Sequence, residues 1–164
     1  MQSHVRTLTL VALLALTGVL AVGVGSLSAQ ATDPRIGTWK MTPGKSKYDP
    51  GPAPQSLTVK VEPAGQGEKV ATESVNADGS RTATMYTANF DGKDSPITGS
   101  PVANTVGLKR VDARTTVRTD KKDGKVVQTL TRVVSPDGKA MTVTVKGTNA
   151  QGQPVNHVIV FDKQ

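Results

Sequence analysis

Histidine and cysteine, which perform much of the acid–base, nucleophilic and metal-binding chemistry of proteins, are almost absent from this sequence. It has no cysteine and two histidines, His4 and His157. A single histidine in the body of the chain cannot supply the several nitrogen or sulfur ligands of a zinc site. The sequence has no Gly-x-Ser-x-Gly elbow and no glycine-rich phosphate loop. Most acidic residues fall in predicted turns, so no inward pair of carboxylates is expected. We therefore predict no metal site, no cofactor and no catalysis.

Two arginines lie on predicted strands together with apolar residues. Arg132 lies two residues from both Leu130 and Val134 and therefore shares their face of the strand. Arg110 shares a face with Leu108 in the same way. If these faces point inward, each guanidinium needs a buried carboxylate or an anionic ligand. If they point outward, both arginines are ordinary solvated side chains. The sequence leaves both alternatives open.

Two aromatic side chains also carry polar atoms on predicted strands. Tyr86 shares a strand face with Thr84, and its hydroxyl can contact an interior ligand or make a core or surface contact. His157 shares a face with Ile159 and Phe161, a setting more typical of a core histidine than of a ligand contact. The candidate ligand-binding residues are therefore Arg132, Arg110, Tyr86 and His157.

The elements that must position these residues are strands. After residue 31 no segment has helical periodicity, and valine and threonine recur between turn signals. Four Asp-Gly pairs predict tight hairpin turns. They are Asp78-Gly79, Asp91-Gly92, Asp123-Gly124 and Asp137-Gly138. The nine predicted strands are Ile36–Met41, Ser56–Glu62, Lys69–Val75, Ser80–Phe90, Asn104–Asp112, Arg114–Lys121, Lys125–Ser135, Ala140–Gly147 and Val155–Asp162.

The strand pattern predicts an all-β fold, an antiparallel up-and-down meander that closes into a barrel of about 8–10 strands. Closure removes the two exposed edges that an open meander would have. A two-sheet β-sandwich is the alternative. Large aromatics are scarce, so valine, threonine, alanine and methionine must build the interior, which favours a narrow apolar cavity. The other possibility is a flattened barrel that its own side chains fill.

The segment Thr42–Pro54 interrupts the strand pattern. It contains four prolines and two glycines, which predict an ordered, extended loop that forms neither a helix nor an interior strand. The loop is either a lid over an opening of the barrel or a stiff surface connection.

Residues 1–31 have the composition of a secretory signal peptide. A short basic start precedes an apolar run from Leu8 to Val24, and Ala29-Gln30-Ala31 fits the small-x-small cleavage pattern. Cleavage after Ala29 or Ala31 would release a single domain, residues 32–164, to the periplasm or the cell exterior. An uncleaved membrane anchor is the alternative, because the run approaches spanning length.

The positive charge of the chain does not indicate a nucleic-acid partner. Without Arg6, nineteen of the twenty lysines and arginines remain against thirteen acids, a net charge near +6. Many lysines lie beside turns, as expected for a solvated surface with protected sheet edges. One tryptophan, two tyrosines and two phenylalanines are too few to stack the bases of single strands.

Short motifs resemble those of the calycins, the lipocalins and fatty-acid-binding proteins. Gly37-Thr38-Trp39-Lys40 opens the domain as the calycin Gly-x-Trp motif does, and Asp123–Thr129 is similar to a hairpin of the fatty-acid-binding branch. Arg132 precedes a further Asp-Gly turn, and Val160–Lys163 is close to that branch's terminal motif. The start is also similar to that of small secreted bacterial proteins with Gly-Thr-Trp-Lys. The resemblance implies a barrel whose closed end Trp39 plugs, with Gly37 in the same structural motif.

The sequence departs from fatty-acid-binding proteins in two respects. Their helix pair after the first strand is replaced by the proline-rich loop. In those proteins two arginines and a tyrosine hold the carboxylate of the bound fatty acid. Arg132 matches the first arginine, but Ile159 and Phe161 stand at the positions of the second arginine and the tyrosine. The predicted function is therefore lipocalin-like binding of a small, mostly apolar molecule, without a complete carboxylate clamp. The alternative is a structural or protein-interaction module, an inhibitor or envelope protein, with a filled barrel.

Overall fold

The computed structural model describes residues 33–164. The predicted signal peptide, residues 1–31, and both predicted cleavage sites lie outside the described residues. The described chain forms ten β-strands and one short 3-10 turn at Pro43–Lys45. The strands are β1 Gly37–Met41, β2 Ser56–Ala64, β3 Gly67–Val75, β4 Arg81–Asn89, β5 Asp91–Thr98, β6 Thr105–Arg110, β7 Thr115–Lys122, β8 Lys125–Val134, β9 Ala140–Thr148 and β10 Pro154–Lys163.

The ten strands form a closed antiparallel barrel in which each strand pairs with the next along the chain. β10 returns to β1, where Trp39 pairs with Lys163 and Met41 with Phe161. The prediction of an all-β up-and-down barrel is confirmed, and the sandwich alternative is wrong, because pairing of the first and last strands leaves a single continuous sheet.

The sequence prediction missed one strand, β5. Its sequence, Asp-Gly-Lys-Asp-Ser-Pro-Ile-Thr, contains glycine, proline and two aspartates, which are all depleted in strands. The pairing of β5 is irregular as well. It matches β4 at only two positions, and its register with β6 shifts between Asp91 and Asp94. The predicted Asp91-Gly92 turn therefore lies at the start of β5, one residue beyond the connection at Phe90.

One end of the barrel, the packed end, lies where β1 begins. Trp39 is fully buried there, and its Nε1 donates a hydrogen bond to the carbonyl oxygen of Arg35 at 2.9 Å. The Arg35 guanidinium is also buried, pairs with Asp33 and lies over the Phe90 ring. Arg110 lies 4.3 Å from the same ring centroid and 2.7 Å from Asp33. This end is thus covered by the first residues of the domain.

The opposite end, the mouth, is bordered by the proline-rich segment Thr42–Pro54. Because β1 ends at Met41, the first half of β10 has no complete strand beside it on that side. The segment takes this place, since Lys47 and Val158 exchange two backbone hydrogen bonds of 2.7 and 2.8 Å. The prediction that the segment forms no helix is wrong at Pro43–Lys45, where a proline in the first turn starts a 3-10 turn.

Candidate functional site: a cavity inside the barrel

A cavity of about 140 Å³ lies inside the barrel. Valine, threonine and leucine side chains make up much of its wall, and their modest size leaves space across the lumen. Several inward-facing side chains along it are only half-buried although they point away from bulk solvent. The lining residues are Leu57, Val59, Val70, Thr72, Thr84, Tyr86, Arg118, Leu130, Arg132, Met141, Val143, Val145, Ile159 and Phe161.

Three polar side chains meet beside this cavity. The Nη2 of Arg132 donates a hydrogen bond to Glu68 Oε1 at 2.6 Å and lies 3.1 Å from the Tyr86 hydroxyl. The Tyr86 hydroxyl donates to the same carboxylate oxygen at 3.2 Å. Glu68 is 1% exposed, Tyr86 3% and Arg132 8%. The three residues therefore form a buried, charge-assisted hydrogen-bond cluster.

A second ion pair lies on the inner face of β7. Arg118 contacts Asp120 through two hydrogen bonds, Nε to Oδ1 at 2.7 Å and Nη2 to Oδ2 at 2.8 Å. The carboxylate is buried, and the Arg118 side chain is 17% exposed while lining the cavity. Its guanidinium carbon lies 5.2 Å from the Tyr86 ring centroid. This cation–π contact joins the two ion pairs into one group.

Strand register explains why these side chains meet. Tyr86 pairs with Val70, and Glu68 precedes Val70 by two residues on the same strand, so both point inward. Across β7 and β8, Arg118 pairs with Leu130, and Arg132 follows Leu130 by two residues. The closed barrel then places the β3–β4 face opposite the β7–β8 face.

The cluster is charged at neutral pH. Burial raises the pKa of the Tyr86 hydroxyl, which therefore stays a neutral donor. For both arginines, burial acts to lower the pKa. Neighbouring acidic side chains outweigh the effect of burial, namely the Tyr86 hydroxyl and the Glu68 carboxylate for Arg132 and the Asp120 carboxylate for Arg118, so that both pKa values are raised. Two guanidinium charges thus face two carboxylate partners.

Some polar atoms of this region are buried without a hydrogen-bond partner among the described residues. They include Nη1 of Arg132, Oε2 of Glu68 and the hydroxyl of Thr116, which pairs with Arg132 across β7 and β8. Buried polar groups are nearly always satisfied in proteins. The partner-free atoms therefore indicate unused hydrogen-bonding capacity at the cluster.

The structure brings together two of the four predicted ligand contacts. Arg132 and Tyr86 line the cavity. Arg110 does not, because it stands at the last position of β6, where its half-exposed side chain leaves the barrel and pairs with Asp33. His157 does not line it either, because it lies near the start of β10 at the mouth.

Sequence reasoning missed Glu68, Asp120 and Arg118. It expected no inward pair of carboxylates, whereas the structure places two carboxylates inside, each beside an arginine. Glu68 lies one residue before the predicted start of its strand, at Lys69. Asp120 was inside a predicted strand, where alternation with Arg118 and Thr116 was the available signal. Each carboxylate is paired with an arginine, so neither is a free acid or base.

A second cavity, of about 530 Å³ and more open, lies at the mouth. The proline-rich segment forms one wall, and Leu57 and Ile159 line this cavity as well as the interior one. His157 accepts a hydrogen bond from the backbone N–H of Asp49 through Nδ1 at 3.0 Å. Its ring lies 4.9 Å from that of Tyr48. The mouth cavity thus adjoins the interior, and His157 tethers its proline-rich wall.

Across residues 33–164, no three histidine, cysteine or acidic side chains are grouped as a metal site would need. No helix within this range has the length and apolar character to cross a membrane.

Strand pairing defines a closed up-and-down barrel of ten antiparallel strands with a cavity inside it. No protein-family model matches this sequence, and no curated protein matches it. A similar solved structure is zebrafish ileal bile acid-binding protein in complex with cholic acid, at 14% identity and a TM-score of 0.49, covering 80% of this chain and 99% of that chain. A likeness of this size does not bear on the ligand of the present chain. Membership of the bacterial Gly-Thr-Trp-Lys group stays a prediction.

Proposed function

We propose that this protein binds a small, mostly apolar molecule inside its barrel and is not an enzyme. The observation that carries the proposal is the interior cavity of about 140 Å³, walled mainly by aliphatic side chains beside one polar cluster. An apolar enclosure with a few convergent polar groups is typical of ligand sites. Both inward carboxylates are held by arginines, which argues against their use as catalytic acids or bases.

The size of the cavity limits the ligand. An apolar cavity of about 150 Å³ holds a molecule such as benzene, whereas sites for larger ligands span about 300–1,000 Å³. The interior therefore suits a single ring or a short branched chain. A longer ligand would extend past Leu57 and Ile159 into the mouth cavity, under the proline-rich segment.

The alternative of a structural or interaction module requires a barrel filled by its own side chains. The half-buried state of Val59, Leu130 and Val143 on the inner wall favours ligand binding over that alternative.

A matched pair of substitutions tests the proposal. Val143→Phe places a ring in the cavity, and Val133→Phe places the same ring on the outer face of β8, where Val133 is 43% exposed. Organic extracts of the purified protein should contain a bound molecule by mass spectrometry, and toluene should bind saturably in calorimetry. We expect Val143→Phe to abolish both results and Val133→Phe to preserve them. If the original chain yields no extracted molecule and no saturable toluene binding, the proposal is wrong.

We also propose that the protein is exported to the periplasm or the cell exterior. The support is the basic start, apolar run and small-residue motif of residues 1–31. The intact mass of protein from an expressing bacterium should correspond to a chain starting at Gln30 or Thr32. A full-length mass would contradict export by cleavage.

A further inference from the structure

We propose that the cavity selects an uncharged molecule carrying a hydroxyl or carbonyl oxygen, and that Glu68 enforces this selection against anions. The inference rests on the proposed function, since it specifies the ligand of the same cavity. The observation behind it is that both guanidiniums of the interior already have buried carboxylate partners.

The charge of the interior is balanced before any ligand enters. Arg132 with Glu68 and Arg118 with Asp120 give two positive and two negative charges. Beyond these four, no other charged side chain lines the cavity or is buried beside it within residues 33–164. A charged ligand would therefore leave one net charge beside this buried cluster in a mainly apolar cavity, where an unbalanced ion is disfavoured.

An anion faces a further obstacle at Arg132. Its Nη2 is occupied by Glu68 at 2.6 Å, so a carboxylate that approached this nitrogen would meet a like charge that is 1% exposed and cannot turn to water. A cation is disfavoured for a different reason. The two charged side chains that line the cavity, Arg118 and Arg132, are both positive.

A neutral oxygen avoids both costs. The Nη1 of Arg132 is a buried donor without a partner, and Arg132 lines the cavity. A hydroxyl or carbonyl oxygen supplies an acceptor for this guanidinium without disturbing its pairing with Glu68. The apolar remainder of such a molecule fits the wall formed by Val59, Leu130 and Val143.

Three probes that share one ring distinguish the charge classes. Benzyl alcohol, benzoate and benzylammonium are titrated into the purified chain at neutral pH by calorimetry, with NMR shifts of Leu130 and Val143 methyl groups locating the site. We expect benzyl alcohol to bind at least about tenfold more tightly than either ion, because the ions must lose their hydration. Equal or tighter binding of benzoate by the original chain would overturn the inference while leaving the proposed function intact. Absence of binding by all three probes would overturn the inference; it would overturn the proposed function as well only if toluene also failed to bind and no molecule were extracted.

Glu68→Gln tests the role of the carboxylate. Glutamine keeps an oxygen that accepts from Arg132 but removes the charge, so benzoate should gain at least about tenfold over benzyl alcohol relative to the original chain. Glu73→Gln is the matched control: Glu73 is exposed on the outer face of the same strand, and the control makes the same change in net charge. We expect it to leave the preference unchanged. Asp120→Asn, at the second ion pair, is an independent variant with the same expected direction. The inference is contradicted if the preference for benzyl alcohol over benzoate changes as much in Glu73→Gln as in Glu68→Gln. It is also contradicted if that preference changes in neither Glu68→Gln nor Asp120→Asn.

Discussion

The contact between Arg132 and Glu68 places a full ion pair inside an apolar barrel. Removing two charges from water costs several kcal/mol per ion, and their attraction repays this only when further hydrogen bonds complete the geometry. Here the Tyr86 hydroxyl joins the pair, at 3.1 and 3.2 Å from the two partners. The pair is therefore better understood as setting the polarity of the cavity than as a source of stability.

Removing Arg132 from the ion pair should reveal the free-energy cost of burying the Glu68 charge alone. Arg132→Met leaves Glu68 buried without its counter-charge, so we expect the free energy of unfolding to fall by about 3–5 kcal/mol. Adding Glu68→Leu should recover most of that loss, because the double variant buries no unpaired charge. Urea unfolding followed by circular dichroism measures both values.

The exposed pair of Lys60 and Glu62 is the control for this experiment. Its nitrogen and oxygen are 2.8 Å apart, but the side chains are 57% and 43% exposed. Lys60→Met should change stability by no more than about 1 kcal/mol. A similarly small effect of Arg132→Met would mean that water reaches the cluster, which would contradict its burial.

At the scale of elements, the proline-rich segment is attached to β10 by several backbone hydrogen bonds, which include those of Thr42 N–H to Val160 and of Asn156 N–H to Asp49. Besides the bridge between Lys47 and Val158, the backbone of Asp49 donates to His157, and the Tyr48 hydroxyl lies 3.2 Å from the Met41 sulfur. Burial raises the pKa of Tyr48 to about 12, so this hydroxyl stays neutral at physiological pH. The contact between Asp49 and His157 changes with pH near neutrality, so the segment responds to pH locally at Asp49.

We expect the segment to loosen on acidification. Burial lowers the pKa of His157 below its usual value, although the Asp49 carboxylate opposes the shift. Neutral His157 thus stabilises the fold fully above the unfolded pKa of about 6.5, and this contribution is lost as the pH falls through the lowered folded pKa. Protonation also places a hydrogen on Nδ1, which can then no longer accept from Asp49. Hydrogen exchange of the Asp49 amide should accelerate, relative to its intrinsic rate, between about pH 7.5 and about pH 5.5.

His157→Asn is the control for this pH response. Asparagine offers an oxygen acceptor near the same place but does not titrate, so its Asp49 protection should not change over this range. Asp78, a carboxylate that lines the mouth cavity, has a lowered pKa and stays ionised over this pH range. The same pH response in both proteins would show that His157 is not its source.

Elements were predictable where alternation was regular. Leu57, Val59 and Val61 face inward on β2 as their spacing predicts, and the alternating residues of β9 and β10 do so as well. β5 was not predictable, because its barrel neighbours override its poor local propensity. Arg110 shows a second limit. Alternation assigns a face, but it does not tell whether a residue at a strand end lies within the barrel or beyond it.

At the scale of the whole molecule, closure of the barrel was predictable but the use of its interior was not. The hairpin turns and the need to remove two edges point to closure. Glu68 and Arg132 lie 64 positions apart in sequence and meet only across the finished barrel. No local pattern in a single sequence shows which strands face each other across the lumen. The ion pairs of the cavity were therefore invisible until the register was known.

The interior is divided between a packed part and the cavity, and two leucines test this division. Leu108 is fully buried and does not line the cavity, whereas Leu130 is half-buried along its wall. Leu108→Ala should cost about 2–5 kcal/mol of unfolding free energy, as expected for a truncated core side chain. Leu130 lacks packing partners on its cavity side, so Leu130→Ala should cost roughly half as much. Equal losses in urea unfolding would mean that the barrel closes onto Leu130 in solution, leaving no room for a ligand. In the absence of ligand, Leu130→Ala should lower the unfolding free energy by less than Leu108→Ala. If this loss at Leu130 increases toward the Leu108 value when benzyl alcohol is present, the ligand supplies the contacts that the empty barrel lacks.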